Sequence, residues 1–128
     1  MFVRFVILER DEESRCLTGV FTAAFDLRDR GLLDANAVGR FEVLRQWFNL
    51  RLPVPDRFAR SRGRQAHRQA VCWFKADALE HLGKVRELTT LLGRHGLQVR
   101  RLRSERPGYV LYEDEFQVAA VPFRDTEA

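Results

Sequence analysis

The period of the hydrophobic residues changes several times along this chain, and these changes constrain the fold more than any other feature. Residues 2–8 are almost continuously apolar and rich in β-branched and aromatic side chains, and a charged cluster follows them. This pattern predicts a strand that is buried on both faces. Shorter apolar segments bounded by turn residues predict four further strands, at residues 69–74, 97–103, 109–112 and 116–122.

Between these strands the apolar residues recur at helical spacing. They predict one helix from Leu17 to about residue 30, and a second that Asp34 caps and that ends before Pro53. A third helix is expected to open at a capping box formed by Asp77 and Glu80. The order β-α-α-β-α-β-β-β predicts a single α+β domain over residues 1–128. Its sheet should be mostly antiparallel, with the helices packed on one face.

The apolar positions of these elements predict one common core. Its members are the residues that face inward if the strands alternate and the helices follow their 3.6-residue period. They are Val3, Phe5, Ile7, Phe21, Phe25, Phe41, Leu44, Phe48, Val71, Trp73, Leu82, Val85 and Val118.

Composition restricts the class of protein. At 128 residues and 45% hydrophobic content, the chain has the size of one domain and enough apolar material for a core. The apolar opening is too short for a signal peptide, and no run approaches the ~20 residues of a membrane span, so we predict a cytoplasmic protein without a membrane partner. Cys16 and Cys72 are far apart and lie in no metal-binding pattern. We expect both thiols to be unpaired, and Cys72 to be buried as a small apolar group.

Positive charge is concentrated in one stretch. Residues 51–75 carry seven Arg or Lys against one acidic residue, and this stretch accounts for the formal net charge of +4. Residues 53–68 within it show neither helical nor strand periodicity and predict an irregular loop. Loops of this length in compact domains are usually functional or disordered. Charge and loop length therefore indicate the same segment as the functional site.

The chemistry of this loop predicts contact with a polyanion, most of all nucleic acid. Guanidinium groups bind phosphate oxygens in pairs, and interleaved aromatic rings can stack on bases. The candidate binding residues are Arg57, Phe58, Arg60, Arg62, Arg64, His67 and Arg68.

Three other interpretations of the loop stay open. It could dock on an acidic protein surface as an interaction or inhibitor module, or it could be a solvated loop that pairs with the acidic residues at 113–115. A small hydrolase or nuclease would need His67 beside a carboxylate such as Asp56 or Glu80. The chain contains no P-loop, nucleophile elbow, zinc-protease or dinucleotide motif. We therefore predict a binding protein rather than an enzyme, with no cofactor.

Three segments carry a resemblance to known sequences. Residues 72–75, with the sequence Cys-Trp-Phe-Lys, and residues 106–118, together with the arginine loop that contains Phe58, resemble a group of small uncharacterised bacterial proteins. The resemblance covers most of the chain and implies an intact single-domain bacterial protein. No activity is assigned to that group, so no site residues are carried over.

Overall fold

The computed structural model describes residues 1–12, 14–54 and 69–128, and within them it shows an α+β fold. The predicted order of elements is confirmed, with one short strand added after the first. The elements are β1 (Phe2–Arg10), β2 (Leu17–Gly19), α1 (Val20–Asp29), α2 (Ala35–Arg51), β3 (Val71–Lys75), α3 (Leu79–Arg94), β4 (Val99–Ser104), β5 (Tyr109–Glu113) and β6 (Gln117–Val121).

Two predicted helix starts are wrong. Leu17 belongs to β2, because residues 17–19 pair with the end of β1 before the chain turns into α1 at Val20. The capping box of Asp77 does not form either. A tight turn in which the Ala78 amide donates to the Lys75 carbonyl delays the helix, so Ala78 occupies the N-cap position and no side chain caps α3.

All strand pairings in the described residues are antiparallel, and β1 is central. Along one edge it pairs with β4 over residues 2–7. Along the other edge it pairs with β3 at Phe2 and Val3, and with β2 only from Val6 onward. The sheet continues from β3 through β6 to β5. Because β2 and β3 share one edge of β1, the ladder is interrupted beside Arg4 and Phe5.

The prediction of one core is wrong, since the buried residues form two clusters on opposite faces of the sheet. Val3, Phe5 and Ile7 pack with the three helices, whereas Val6 packs with Trp73 and other strand residues. Alternation along a strand that is buried on both faces produces this division. Phe21 and Phe25 are only partly buried, and the other predicted core residues are buried as expected.

The cysteines follow the prediction only in part. Both are unpaired, and Cys16 is buried. Cys72 is exposed, which contradicts the predicted burial, because it points away from the face that buries its neighbours Val71 and Trp73. Of the helices described, none combines the length and the apolarity that crossing a membrane would require.

Candidate functional site

The predicted binding residues lie outside the part of the chain that the structure describes. They all fall within residues 55–68, and they are Arg57, Phe58, Arg60, Arg62, Arg64, His67 and Arg68. The described residues on either side of this range, together with the residues that hold them, are called the base of the arginine-rich segment. The contacts of that base are therefore the described part of the candidate site.

The chain entering the segment is held by two buried side chains. The Nε2–H of His81, in α3, donates to the Arg51 carbonyl oxygen at 2.8 Å. The Nε2 of Gln117, at the start of β6, donates to the Pro53 carbonyl oxygen at 2.6 Å. The carbonyl groups at a helix C-terminus lack partners within the helix. These two side chains supply donors for the last residue of α2, Arg51, and for Pro53, two residues beyond the helix.

Aromatic rings fix the position of His81. Its imidazole lies 4.2 Å from the ring of Phe116 and 5.0 Å from the ring of Trp47, measured between centroids. Only 5% of the residue is exposed, so its ring nitrogen serves the Arg51 carbonyl rather than a solvent ligand. His81 is thus a structural histidine of the base.

The chain leaving the segment enters β3, whose first residue, Val71, is paired with Ala120 of β6. Gln117, which holds the other end, lies three residues earlier on the same strand. At about 3.3 Å per residue, the two attachment points on β6 are about 10 Å apart. The chain before and after the arginine-rich segment is therefore held at nearby positions of one strand.

The acidic turn at 113–115 has partners within the described residues. Glu113 Oε2 forms an ion pair with Lys75 Nζ at 2.7 Å. Asp114 accepts hydrogen bonds from the Tyr112 hydroxyl, from the Phe116 and Gln117 amides, and from Gln117 Nε2. Two of these three carboxylates are therefore already engaged, which weakens the interpretation that this turn neutralises the arginine loop.

Hydrogen bonding also determines the charge of Asp114. Desolvation alone would raise the pKa of Asp114, but the bonds from Gln117, the Phe116 amide and Tyr112 outweigh it, so the pKa lies below its ordinary value. The carboxylate is therefore ionised at neutral pH. Through its bond with Gln117, it is part of the structure that supports the arginine-rich segment. Among the described residues, no group of His, Cys, Asp and Glu side chains is arranged to hold a metal ion.

An open groove of about 760 Å³ lies beside the entry to the segment. Its described lining includes the exposed apolar side chains Leu50 and Leu79 and the carboxylates Asp77, Glu80 and Glu115. Arg51 Nε lies 3.9 Å from Glu80 and offsets only part of this negative charge. The groove is therefore an acidic and apolar surface, which does not attract phosphate.

The sequence did not predict a further feature, which lies where one edge of β1 is unpaired between β2 and β3. Arg4 is buried within a strand that reads as apolar, and its Nη2 donates to the Leu17 carbonyl oxygen at 2.6 Å. Within the described residues, Arg4 Nη1 and Trp73 Nε1 are buried donors without a hydrogen-bond partner. A single arginine among Phe2, Val3 and Phe5 was the available signal, since alternation places it on a buried face.

The comparisons with known proteins add no relatives. The chain matches no family model, and neither a curated protein nor a solved structure shows significant similarity to it. The resemblance to small bacterial proteins therefore stays a prediction.

Proposed function

We propose that this protein binds nucleic acid through its arginine-rich segment, residues 57–68. The observation that carries the proposal is the location of the charge. Residues 51–75 hold seven cationic side chains and one acidic one, whereas the remainder of the chain is slightly acidic. A local positive field of this kind attracts phosphates, and each phosphate that is neutralised releases condensed counterions.

The base described above supports this role. Contacts with β6 and α3 hold the residues that flank the segment, namely Arg51, Pro53 and Val71. Binding groups are positioned better when the elements that support them are rigid. The chain on both sides of the arginines is therefore held in place, which favours a defined binding surface.

The residue types of the segment predict two modes of contact. The arginines should bind phosphates through charge and paired N–H donors, without regard to base sequence. Phe58 can stack on an unpaired base, which would give single strands an advantage over duplexes.

Fluorescence anisotropy with labelled single- and double-stranded oligonucleotides tests the proposal. Replacing Arg60, Arg62 and Arg64 with Gln should weaken binding and flatten the log–log dependence on salt by about 0.7–0.9 per lost contact. The matched control replaces three exposed arginines outside the segment with Gln. They lie on the helices and in the turn after α1, and they are Arg30, Arg40 and Arg86. Both variants lose the same net charge, so only the first should lose affinity if the binding surface is local.

Phe58→Ala separates the two modes of contact. Loss of a stacked base should reduce single-strand affinity by about 1–3 kcal/mol and leave duplex affinity nearly unchanged. The absence of binding at low salt, or equal losses in the two triple variants, would refute nucleic-acid binding by this segment.

The apolar surface beside the segment favours a second candidate function, docking on a partner protein. Leu50, Val54 and Leu79 are 81%, 78% and 74% exposed and lie at the entry to the arginine-rich segment. Exposed apolar side chains that cluster in this way are typical of protein interaction surfaces. An interaction module would place these apolar side chains against an apolar patch of the partner, with acidic residues of the partner facing the arginines rather than the acidic groove.

A pull-down from lysate distinguishes the two functions. A protein partner should remain bound after nuclease treatment and be lost when Leu50 and Leu79 are replaced with Ser. Nucleic-acid binding should be insensitive to these two substitutions, which lie outside the segment. Retention of a partner by the Leu50 and Leu79 variant would count against the docking surface.

A further inference from the structure

A cavity of about 370 Å³ opens where β1 loses its partner between β2 and β3. Most of its described lining is aromatic or aliphatic and comes from β1, α1, the end of α2, β3 and α3, and includes Phe5, Phe21, Leu52, Val71, Phe74 and Val85. Arg4 is the only charged residue of that lining. The lining also includes the polar residues Thr22 and Gln117, and mostly apolar cavities of this size with a few polar groups are typical of small-molecule sites.

Among the described residues Arg4 forms no direct ion pair, although the charge of Asp11 acts on it, and one of its donors has no hydrogen-bond partner. The residue is 7% exposed, and within the described residues its Nη2 donates to the Leu17 carbonyl oxygen. Its Nη1 is buried without a partner in the described residues, and desolvation lowers the pKa of the guanidinium. A buried charge is costly unless it is paired and hydrogen-bonded. An acceptor with a negative charge would meet both requirements if it reached Nη1, which is closed to solvent in this structure.

The N-terminus of α1 faces the same cavity and is also without a cap. The N-cap residue Gly19 and the first three helical residues, Val20, Phe21 and Thr22, all contribute to the lining. No side chain caps this helix, and its first turn contains no acidic residue. The free N–H groups and the dipole of a helix N-terminus favour an anion. A Cβ built on Gly19 would lie 3.8 Å from Arg4 Nη2, which shows that the two features adjoin.

The geometry points to a binding site for a small organic monocarboxylate, held between Arg4 and the N-terminus of α1 with its apolar part in the cavity. One cation in the described lining matches one carboxylate, and the aromatic and aliphatic walls match a short hydrocarbon chain or ring. Inorganic phosphate would leave these walls uncovered and bring more charge than Arg4 balances. This site goes beyond the proposed function, and its failure would leave nucleic-acid binding by residues 57–68 unaffected.

Cys72 supplies a reporter for this cavity. It contributes to the lining and is exposed, so a small alkylating reagent can reach it. The sulfur is nonetheless partly desolvated, and this desolvation raises the pKa of the thiol. Alkylation should therefore be slow at neutral pH and measurable at mildly alkaline pH, with the modified residue identified by peptide mass spectrometry.

The first experiment uses the unaltered protein with three probes: hexanoate, hexanamide and inorganic phosphate. Hexanoate should slow Cys72 alkylation by iodoacetamide in a saturable way and raise the thermal midpoint, because a ligand of the folded state stabilises it. Hexanamide has the same chain without the charge and should act roughly 10- to 100-fold more weakly, the ratio expected for a hydrogen bond to a charged group. Phosphate should give no protection.

The second experiment fills the site from within the chain. Gly19 has φ −68° and ψ 157°, which other residues adopt freely, and an added Cβ meets only Arg4 Nη2 at an ordinary contact distance. Gly19→Asp should place a carboxylate at the helix N-terminus beside Arg4, raise the thermal midpoint and abolish the response to hexanoate. Gly19→Ala is the matched control and should keep the response. Arg4→Met should weaken hexanoate binding roughly 10- to 100-fold.

Four results would overturn the site: no effect of hexanoate, equal effects of hexanoate and hexanamide, protection by phosphate, or an unchanged response in Gly19→Asp. The second of these would mean an apolar cavity without anion recognition. If Arg4→Met fails to fold, the probe series and the pair of Gly19 variants still decide the question.

Discussion

Gln117 is the side chain on which the base of the arginine-rich segment depends, and its replacement by Met should destabilise the protein. Met has nearly the same length, so the loss of packing in this buried position is small. Two hydrogen bonds disappear, one to the Pro53 carbonyl and one to the Asp114 carboxylate. A neutral hydrogen bond contributes about 0.5–1.5 kcal/mol and one to a charged group about 1.5–3 kcal/mol.

The surroundings of the two acceptors reduce this sum. Pro53 is exposed, so water can replace the donor that its carbonyl loses. Asp114 keeps three donors, the Tyr112 hydroxyl and the Phe116 and Gln117 amides. We therefore expect Gln117→Met to lower the free energy of unfolding by about 2 kcal/mol, below the simple addition of the two bonds.

Urea denaturation measures this change, with Gln98→Met as the matched control because Gln98 is exposed. The control should stay within about 0.5 kcal/mol of the unaltered protein. The effect of Gln117→Met should also depend on pH. The folded pKa of Asp114 is depressed, so the stability that its carboxylate contributes is present above pH ~4 and is lost as the pH falls through that lower pKa.

The difference between Gln117→Met and the unaltered protein should therefore be largest near neutral pH and shrink in acid, where Asp114 is protonated in both. A change below about 0.5 kcal/mol at neutral pH would refute the role of these hydrogen bonds, since it is no larger than that of a typical surface substitution. A difference that grows on acidification would refute the assigned charge interaction. Either result would remove the structural support for a fixed base.

Three further predictions address the core, the thiols and a helix cap. Phe41→Ala should lower the free energy of unfolding by about 3–5 kcal/mol in urea titrations, because Phe41 is fully buried among the helices, and a change below about 1 kcal/mol would contradict that packing. Cys16 and Cys72 are both free, so electrophoretic mobility should be the same with and without reductant. Asp34 caps α2 by accepting from the Ala37 amide, which is the main reason that its pKa is lowered. In chemical denaturation, Asp34→Ala should therefore destabilise more than Asp34→Asn at neutral pH. The deficit of Asp34→Ala should shrink as the pH falls below ~4 and through the lowered pKa of the native carboxylate.

Much of the fold could be predicted because secondary structure depends on local periodicity. The almost continuous apolar run at the start of the chain identified β1 as a strand buried on both faces, and that prediction is confirmed. The second helix was also correct, from the Asp34 cap to its end before Pro53. Each of these features is determined by residues within a few positions of one another. The charge of residues 51–75 is equally a property of the sequence alone.

The tertiary structure decided the features that depend on residues far apart in the chain. Gln117 contacts Pro53 across 64 positions, and His81 contacts Arg51 across 30, so no local pattern could identify either contact. The burial of Arg4 and the exposure of Cys72 likewise follow from where β2 and β3 meet the edge of β1. Sequence periodicity determines which side of a strand a residue faces. Only the order and register of the strands determine what covers that side, because those depend on pairing between distant segments.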